Sequence, residues 1–150
     1  MRVLIQRVKK ASVCINQMET RYIDKGLLLF LGIETVDTVE DLDWLCVKTS
    51  KLRIFDDAEG IMNHSILDIA GDAMLISQFT LHAKTKKGNR PSYIAAAAPE
   101  IAEPLYRQFA LKLSEILNKK VITGEFGAHM DVGLINDGPV SIWIDTKNKE

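Results

Sequence analysis

Cysteine is scarce in this chain. Of its 150 residues only Cys14 and Cys46 carry thiols, and they form no Cys-x-x-Cys pair. That excludes a disulfide framework, fits a reducing compartment, and leaves each thiol to act as a small buried apolar side chain. His64, His82 and His129 are the three histidines, and their separation has no ligand spacing. Metal catalysis is therefore not expected, and no metal or other cofactor is implied. Long apolar runs are missing too. No stretch reaches the ~18 residues of a membrane span, and no charged start followed by an apolar run and a small-residue cleavage site opens the chain. The protein is expected to be soluble, cytoplasmic and free of membrane partners. Charge of one sign is not in excess, since the formal net charge is −1. Repeats, low-complexity segments and linkers do not occur, so residues 1–150 are expected to form one domain, with a polar tail from about residue 146. A domain of this size buries roughly 68–70% of its unfolded surface and needs no staples.

What is present is organised around Ala73-Met74-Leu75-Ile76-Ser77-Gln78-Phe79-Thr80-Leu81. This apolar run, entered from the turn pair Gly71-Asp72, predicts a buried strand. Ser77, Gln78 and Thr80 place polar groups where apolar ones pack more favourably. An unpartnered buried polar group costs about 1–3 kcal/mol, so either the strand end opens onto a polar cleft or these groups are satisfied locally. The loop that follows, from His82 to Arg90, holds Lys84, Lys86, Lys87 and Arg90 and no acid.

The rest of the chain supplies a frame. Met1 to Val8 and Ala11 to Ile15 read as two short strands parted by Lys9-Lys10, with Arg7 either solvated, as its spacing favours, or aimed into a cleft. Leu27-Leu28-Leu29-Phe30-Leu31 is apolar at consecutive positions, which predicts a strand covered on both faces. Thr38 and Asp41 form a capping box with Asp in place of Glu, and the spacing of Leu42, Leu45, Cys46, Thr49 and Leu52 predicts a helix over about 39–51. Arg53-Ile54-Phe55 reads as a strand ended by an acidic turn at 56–60, and 62–69 is ambiguous. Pro99 suits a first helical turn, and Ile101, Leu105, Phe109, Leu113, Ile116 and Leu117 mark one apolar face, with Pro104 as a kink or the true start. Val121 to Gly124, Met130 to Ile135 and Val140 to Ile144 predict three more strands. About eight strands with two inserted helices indicate an α+β fold whose large, mostly antiparallel sheet closes like a barrel.

Between the last two predicted strands lies Asn136-Asp137-Gly138-Pro139-Val140-Ser141. Its composition predicts a hairpin turn. A Gly-Pro bond can also be cis for ~0.5–1 kcal/mol, and such a turn presents carbonyls with no side chain before them.

With these residues, with Ser77 to Leu81, with Lys87-Gly88-Asn89-Arg90-Pro91-Ser92 and with the opening Met1 to Val8, the chain closely resembles the D-aminoacyl-tRNA deacylases. Ser141 stands where that family usually has threonine and keeps the hydroxyl. Phe79, and Gly138 directly before Pro139, fit the D-specific deacylases over their sister group. The resemblance implies a homodimeric cytoplasmic hydrolase of the ester between a D-amino acid and the 3′-terminal adenosine of tRNA, which also accepts glycine. It implies that Gly138-Pro139 is cis and enters the other subunit's pocket to read chirality, that Arg7 helps hold this motif with Asn136 in support, and that Met130 lies near the pocket. Ser77, Gln78, Phe79 and Thr80 would form the catalytic strand end, and Lys84, Lys86, Lys87 and Arg90 would contact the acceptor-end phosphates. Two mechanisms stay open: Thr80 as a nucleophile with His82 as its base, the two sharing a strand face if the strand continues, or assistance by the terminal 2′-hydroxyl with Ser77 and Gln78 binding the adenosine.

Overall fold

The first strand organises the architecture. The structure is a computed structural model and describes residues 1–149. Strand β1 (Arg2–Ile15) is unbroken where the sequence suggested two strands. Lys9 and Lys10 stay exposed within it, because register irregularities between Gln6 and Lys10 absorb them without ending the pairing. Such bulges bend a strand and change the face its side chains use. Accordingly Val3 and Ile5 join one apolar cluster, while Val8, Ala11, Val13 and Ile15 join another.

On one edge β1 pairs antiparallel with β2 (Glu19–Ile23) through its second half and with β3 (Gly26–Gly32) through its first. Its other edge pairs antiparallel with β8 (Met130–Asp145) from end to end. β6 (Asp72–Ser77) lies parallel to β3, and β7 (Ile122–Thr123) parallel to β6. β4 (Phe55–Asp56) and β5 (Met62–His64) form a separate two-stranded hairpin. At the ends of the main sheet path Arg21 of β2 donates to the Thr123 carbonyl of β7 at 2.7 Å, so the sheet curls nearly closed. Inside the curl sit Val8, Val13, Ile23, Leu28, Met74 and Ile76. Leu27, Leu29, Leu31 and Leu75 face the other way, towards the helices. The Leu27–Leu29 run is thus buried on both faces, as its consecutive apolar residues predict.

Helix α1 (Val39–Lys51) begins at the Thr38–Asp41 capping box and buries Leu42, Leu45 and Cys46. Helix α2 (Pro99–Leu117) carries Pro99 in its first turn and ends at Asn118 in the left-handed conformation. Pro104 lies inside the helix on its exposed side, where it removes one backbone bond without meeting the core. The buried face of α2 is Ala102, Tyr106, Phe109 and Leu113, whereas Ile101 is exposed. Leu105, Ile116 and Leu117 pack against the same core as expected, so only Ile101 departs from the expected stripe, and Ala102 and Tyr106, which face the cavity described below, widen it. The tail is docked as well. Thr146 is buried and accepts from the Met1 amine at 2.9 Å, that amine also binds Asp37, and Lys147 bonds Asp41 at 2.6 Å.

Candidate active site

β6 ends at Ser77, short of the expected strand through Leu81. Gln78 donates its N–H to the Leu31 carbonyl at 2.8 Å, and the chain then winds into a 3₁₀ turn over Phe79–His82. Close packing of this turn on β3 needs Gly32. A Cβ there would meet Gln78 O, Leu81 Cβ and His82 Cδ2, each at 3.0 Å. Phe79 and Thr80 head the turn, so their N–H groups have no acceptor within it and remain available. Gln78 Nε2 donates to Thr80 Oγ1 at 2.5 Å.

This strand end forms one wall of a cavity of about 600 Å³, a size suited to a nucleoside carrying an amino acid. Leu31, Ile33 and Ile76 line it from the sheet, and Ala102 and Tyr106 from α2. Phe126, His129 and Met130 line it from the segment leading into β8. The opening is more apolar than the polar cleft suggested by Ser77, Gln78 and Thr80. Ser77 and Gln78 give it a polar strip, while Thr80 is not among its lining residues. Tyr106 donates its hydroxyl to the Leu75 carbonyl at 2.7 Å, and burial pushes its phenol up, so it serves as a neutral strut of the wall. Tyr93, Tyr106, Phe126 and His129 were not singled out from the sequence as site residues. Tyr93, Phe126 and His129 lie in or beside turns, as residues of many surface loops do, and Tyr106 lies inside α2, where an aromatic reads as core.

His82 does not accompany Thr80 on a strand face. Two positions along a 3₁₀ turn correspond to about 240°, so the side chains diverge. His82 is buried with its Nε2 unpartnered, while the Thr80 hydroxyl is engaged by Gln78. The arrangement gives Thr80 no base. Cys46 is no nucleophile either, because burial pushes its thiol up to about 12. Among the described residues no three His, Cys, Asp or Glu side chains converge as metal ligands, and no helix is long and apolar enough to cross a membrane.

The Asn136–Ser141 segment is not a hairpin turn. Residues on both sides of it pair with the same strand, Ser141 with Gln6 and Asn136 with Val8, so β8 keeps its direction and the intervening residues loop out. The Asn136 side chain closes the loop by donating to the Val140 carbonyl at 3.2 Å and accepting the Val140 N–H at 3.3 Å. Gln6 Oε1 receives Asn136 Nδ2 at 2.7 Å and Ser141 Oγ at 2.5 Å. Arg7 is buried, against the solvated reading of its spacing. Its guanidinium donates to the main-chain oxygens of Asp137 at 2.7 Å and Ile54 at 2.6 Å, and to the Asp56 carboxylate at 3.1 Å. The tip is Gly138-Pro139, joined by a cis peptide bond and exposed. Neither Arg7, Asn136, Gly138 nor Pro139 lines the chain's own cavity, which takes in Ser77, Gln78, Phe79 and Met130.

Lys84, Lys86, Lys87 and Arg90 are all exposed, and none is paired with a carboxylate among the described residues. Their loop is closed at its base by reciprocal bonds between Lys84 and Ser92, at 2.8 and 3.0 Å.

A family model described as D-Tyr-tRNA(Tyr) deacylase matches residues 4–145. Curated proteins named D-aminoacyl-tRNA deacylase are similar over the full length of both chains. That of Bacteroides fragilis (strain YCH46) is 62% identical and that of Flavobacterium johnsoniae 55%. Among solved structures, the c-Myc DNA unwinding element binding protein superposes with a TM-score of 0.91 at 35% identity, covering 97% of this chain and 98% of that one. A probable eukaryotic D-amino acid tRNA deacylase shares the fold, with a TM-score of 0.84 at 16% identity over 95% and 97% of the two chains.

Proposed function

Given that the chain belongs to the D-Tyr-tRNA(Tyr) deacylase family and is a hydrolase of D-aminoacyl-tRNA, we propose how its residues divide that work. The terminal adenosine and its amino acid enter the cavity beside Ser77 and Gln78. The ester carbonyl lies against the N–H groups of Phe79 and Thr80. An aminoacyl ester is already activated, so orientation and stabilisation of the developing oxyanion are what it chiefly requires. Those free N–H groups, fixed at the end of β6 by the Gln78–Leu31 bond, are the observation that carries this reading. Water is activated with help from the terminal 2′-hydroxyl, since Thr80 has no base beside it.

The chirality reader is the Gly138-Pro139 tip of a second copy of the chain. Support comes from its exposure, its absence from the chain's own cavity lining, and the hold of Arg7 and Asn136 on its flanks. Carbonyls placed against the α-carbon reject any L side chain sterically, whatever its identity. Each tenfold of selectivity takes about 1.4 kcal/mol, which one unavoidable clash exceeds. Glycine, having no side chain, passes the same filter, so glycyl-tRNA is a second substrate. Met130 shapes the adjoining wall, and the four loop cations contact phosphates of the acceptor end. The active species is a cytoplasmic homodimer, each subunit one domain spanning residues 1–150.

Deacylation of tRNA charged with D-tyrosine and, separately, with L-tyrosine tests the division of labour. Fast loss of the D ester with the L ester at its buffer rate supports it. Loss of both would retain the esterase and discard the chiral filter.

A further inference from the structure

Two aromatic side chains stand where the cavity meets the basic loop. Phe79 and Tyr93 both line the cavity, yet Phe79 is 56% exposed and Tyr93 39%. Their rings meet edge to face, with centroids 5.0 Å apart and planes inclined by 78°. In that arrangement one ring offers only its edge to the other, so its faces stay free of the pair. The two residues bracket the loop that carries Lys84, Lys86, Lys87 and Arg90, and the Lys84–Ser92 bonds draw its two ends together beside them. Exposed aromatic faces flanked by unpaired cations are how proteins hold single-stranded nucleic acid. The cations follow the phosphates and each ring takes the face of a base.

We infer that Tyr93, braced by Phe79, is a stacking platform for the unpaired base that precedes the terminal nucleoside of the substrate. This rests on the tRNA reading above and deepens it. In this proposal a strand whose last nucleoside occupies the cavity leaves over the rim where Phe79 and Tyr93 stand exposed beside the basic loop. On leaving it meets an aromatic face first and the four cations next. The platform reads no sequence, since every base has a face, and it fixes the path by which the acceptor end enters. Tyr93 touches the substrate and not the ester, so it is a binding residue for the polynucleotide alone.

The test compares Tyr93→Ala and Tyr93→Phe with the parent enzyme on D-tyrosyl-tRNA and on adenosine esterified with D-tyrosine. Loss of one stacked base corresponds to about five- to 150-fold in affinity. Tyr93→Ala is expected to lower kcat/KM on the tRNA, mainly through KM, by that factor more than it lowers kcat/KM on the adenosine ester, whereas Tyr93→Phe restores the tRNA rate. Equal losses on both substrates would make Tyr93 a brace for Phe79 and overturn the platform, as would no loss on either or a change in sedimentation of the variant. Binding of uncharged acceptor-strand oligonucleotide to the same proteins is read in parallel. If the parent hydrolyses neither ester, the catalytic reading fails, and this binding series still decides the platform: weakening by Tyr93→Ala upholds it and unchanged binding refutes it. Tyr93→Leu replaces the alanine variant should that not fold.

Discussion

Arg7 and Asp137 are 130 positions apart, and the guanidinium of the first donates to the main-chain oxygen of the second at 2.7 Å. One buried side chain thereby ties the middle of β1 to the projecting tip of β8, and its remaining donors fasten both to Ile54 and Asp56. Arg7→Ala leaves those carbonyls and a carboxylate without their partner. We expect a loss of about 3 kcal/mol in urea unfolding and a deeper loss of deacylation. Arg7→Lys should recover only part of either, since an ammonium lacks the planar fork. A lysine variant with parental stability and rate would contradict this account.

Gly138 occupies a place where a Cβ would lie 2.6 Å from Asn136 Oδ1 and closer still to the Val140 nitrogen. Gly138→Ala must open the Asn136 clamp and move the tip. Because the tip is exposed, Tm should fall by only a few degrees, while D-tyrosyl-tRNA deacylation drops at least about tenfold. Thermal melts and single-turnover rates on one preparation separate the two effects.

Gly26 answers to packing alone. A Cβ there would run into the Asp72 carbonyl across the parallel β3–β6 pair, so Gly26→Ala should cost about 2–3 kcal/mol in chemical denaturation. Gly60 is the control. It has φ +76° and nothing within 4 Å of the place an added methyl would take, so its alanine variant meets only backbone strain, about 1–2 kcal/mol.

The four unpaired cations predict the salt dependence of tRNA binding. If each meets one phosphate of a single strand, log K falls with log salt at a slope of about −2.8, and Lys87→Ala makes it shallower by about 0.7. A filter-binding series from 50 to about 300 mM salt measures this; a slope unchanged in the variant removes Lys87 from the interface.

Asp41 sets an acid limit. Burial pushes its carboxyl up, but bonds from the Lys147 ammonium, the Thr38 N–H and the Thr146 hydroxyl outweigh this and hold it well below the usual carboxylate range. A depressed folded-state pKa stabilises the protein fully above the unfolded value of about 3.9 and is lost as pH falls through the folded value. Asp41→Asn should therefore cost about 1–2 kcal/mol at pH 7, and the gap to the parent should shrink progressively below about pH 4. Urea titrations at several pH values test the sign.

Helix α1 and the doubly buried β3 were legible because their signals are local: a capping box, a 3.6-residue period, a consecutive apolar run. At the candidate site the sequence motifs marked Ser77, Gln78, Phe79 and Met130, which line one cavity, but not the geometry around them. Lys9-Lys10 and Asn136 to Pro139 resemble chain breaks in composition, yet long-range pairing between β1 and β8 carries the strands through both. Ser77 to Leu81 looked like one strand because strand and 3₁₀ residues share the same composition there; the Gly32 contact that bends the chain comes from 46 positions before Gln78. Arg7 looked solvated since nothing near it in sequence accepts its bonds.

The end-to-end pairing of β1 with β8 also bears on how the protein is made. β1 leaves the ribosome before every other described element, and the strand that covers its second edge is the last of them to appear. Until then a long row of unpaired N–H and C=O groups stays open on the nascent chain, an invitation to pairing with other chains. The tip at Gly138-Pro139 acquires its anchors only when that strand docks, so an unfinished molecule holds the end of β6 before it has a fixed tip.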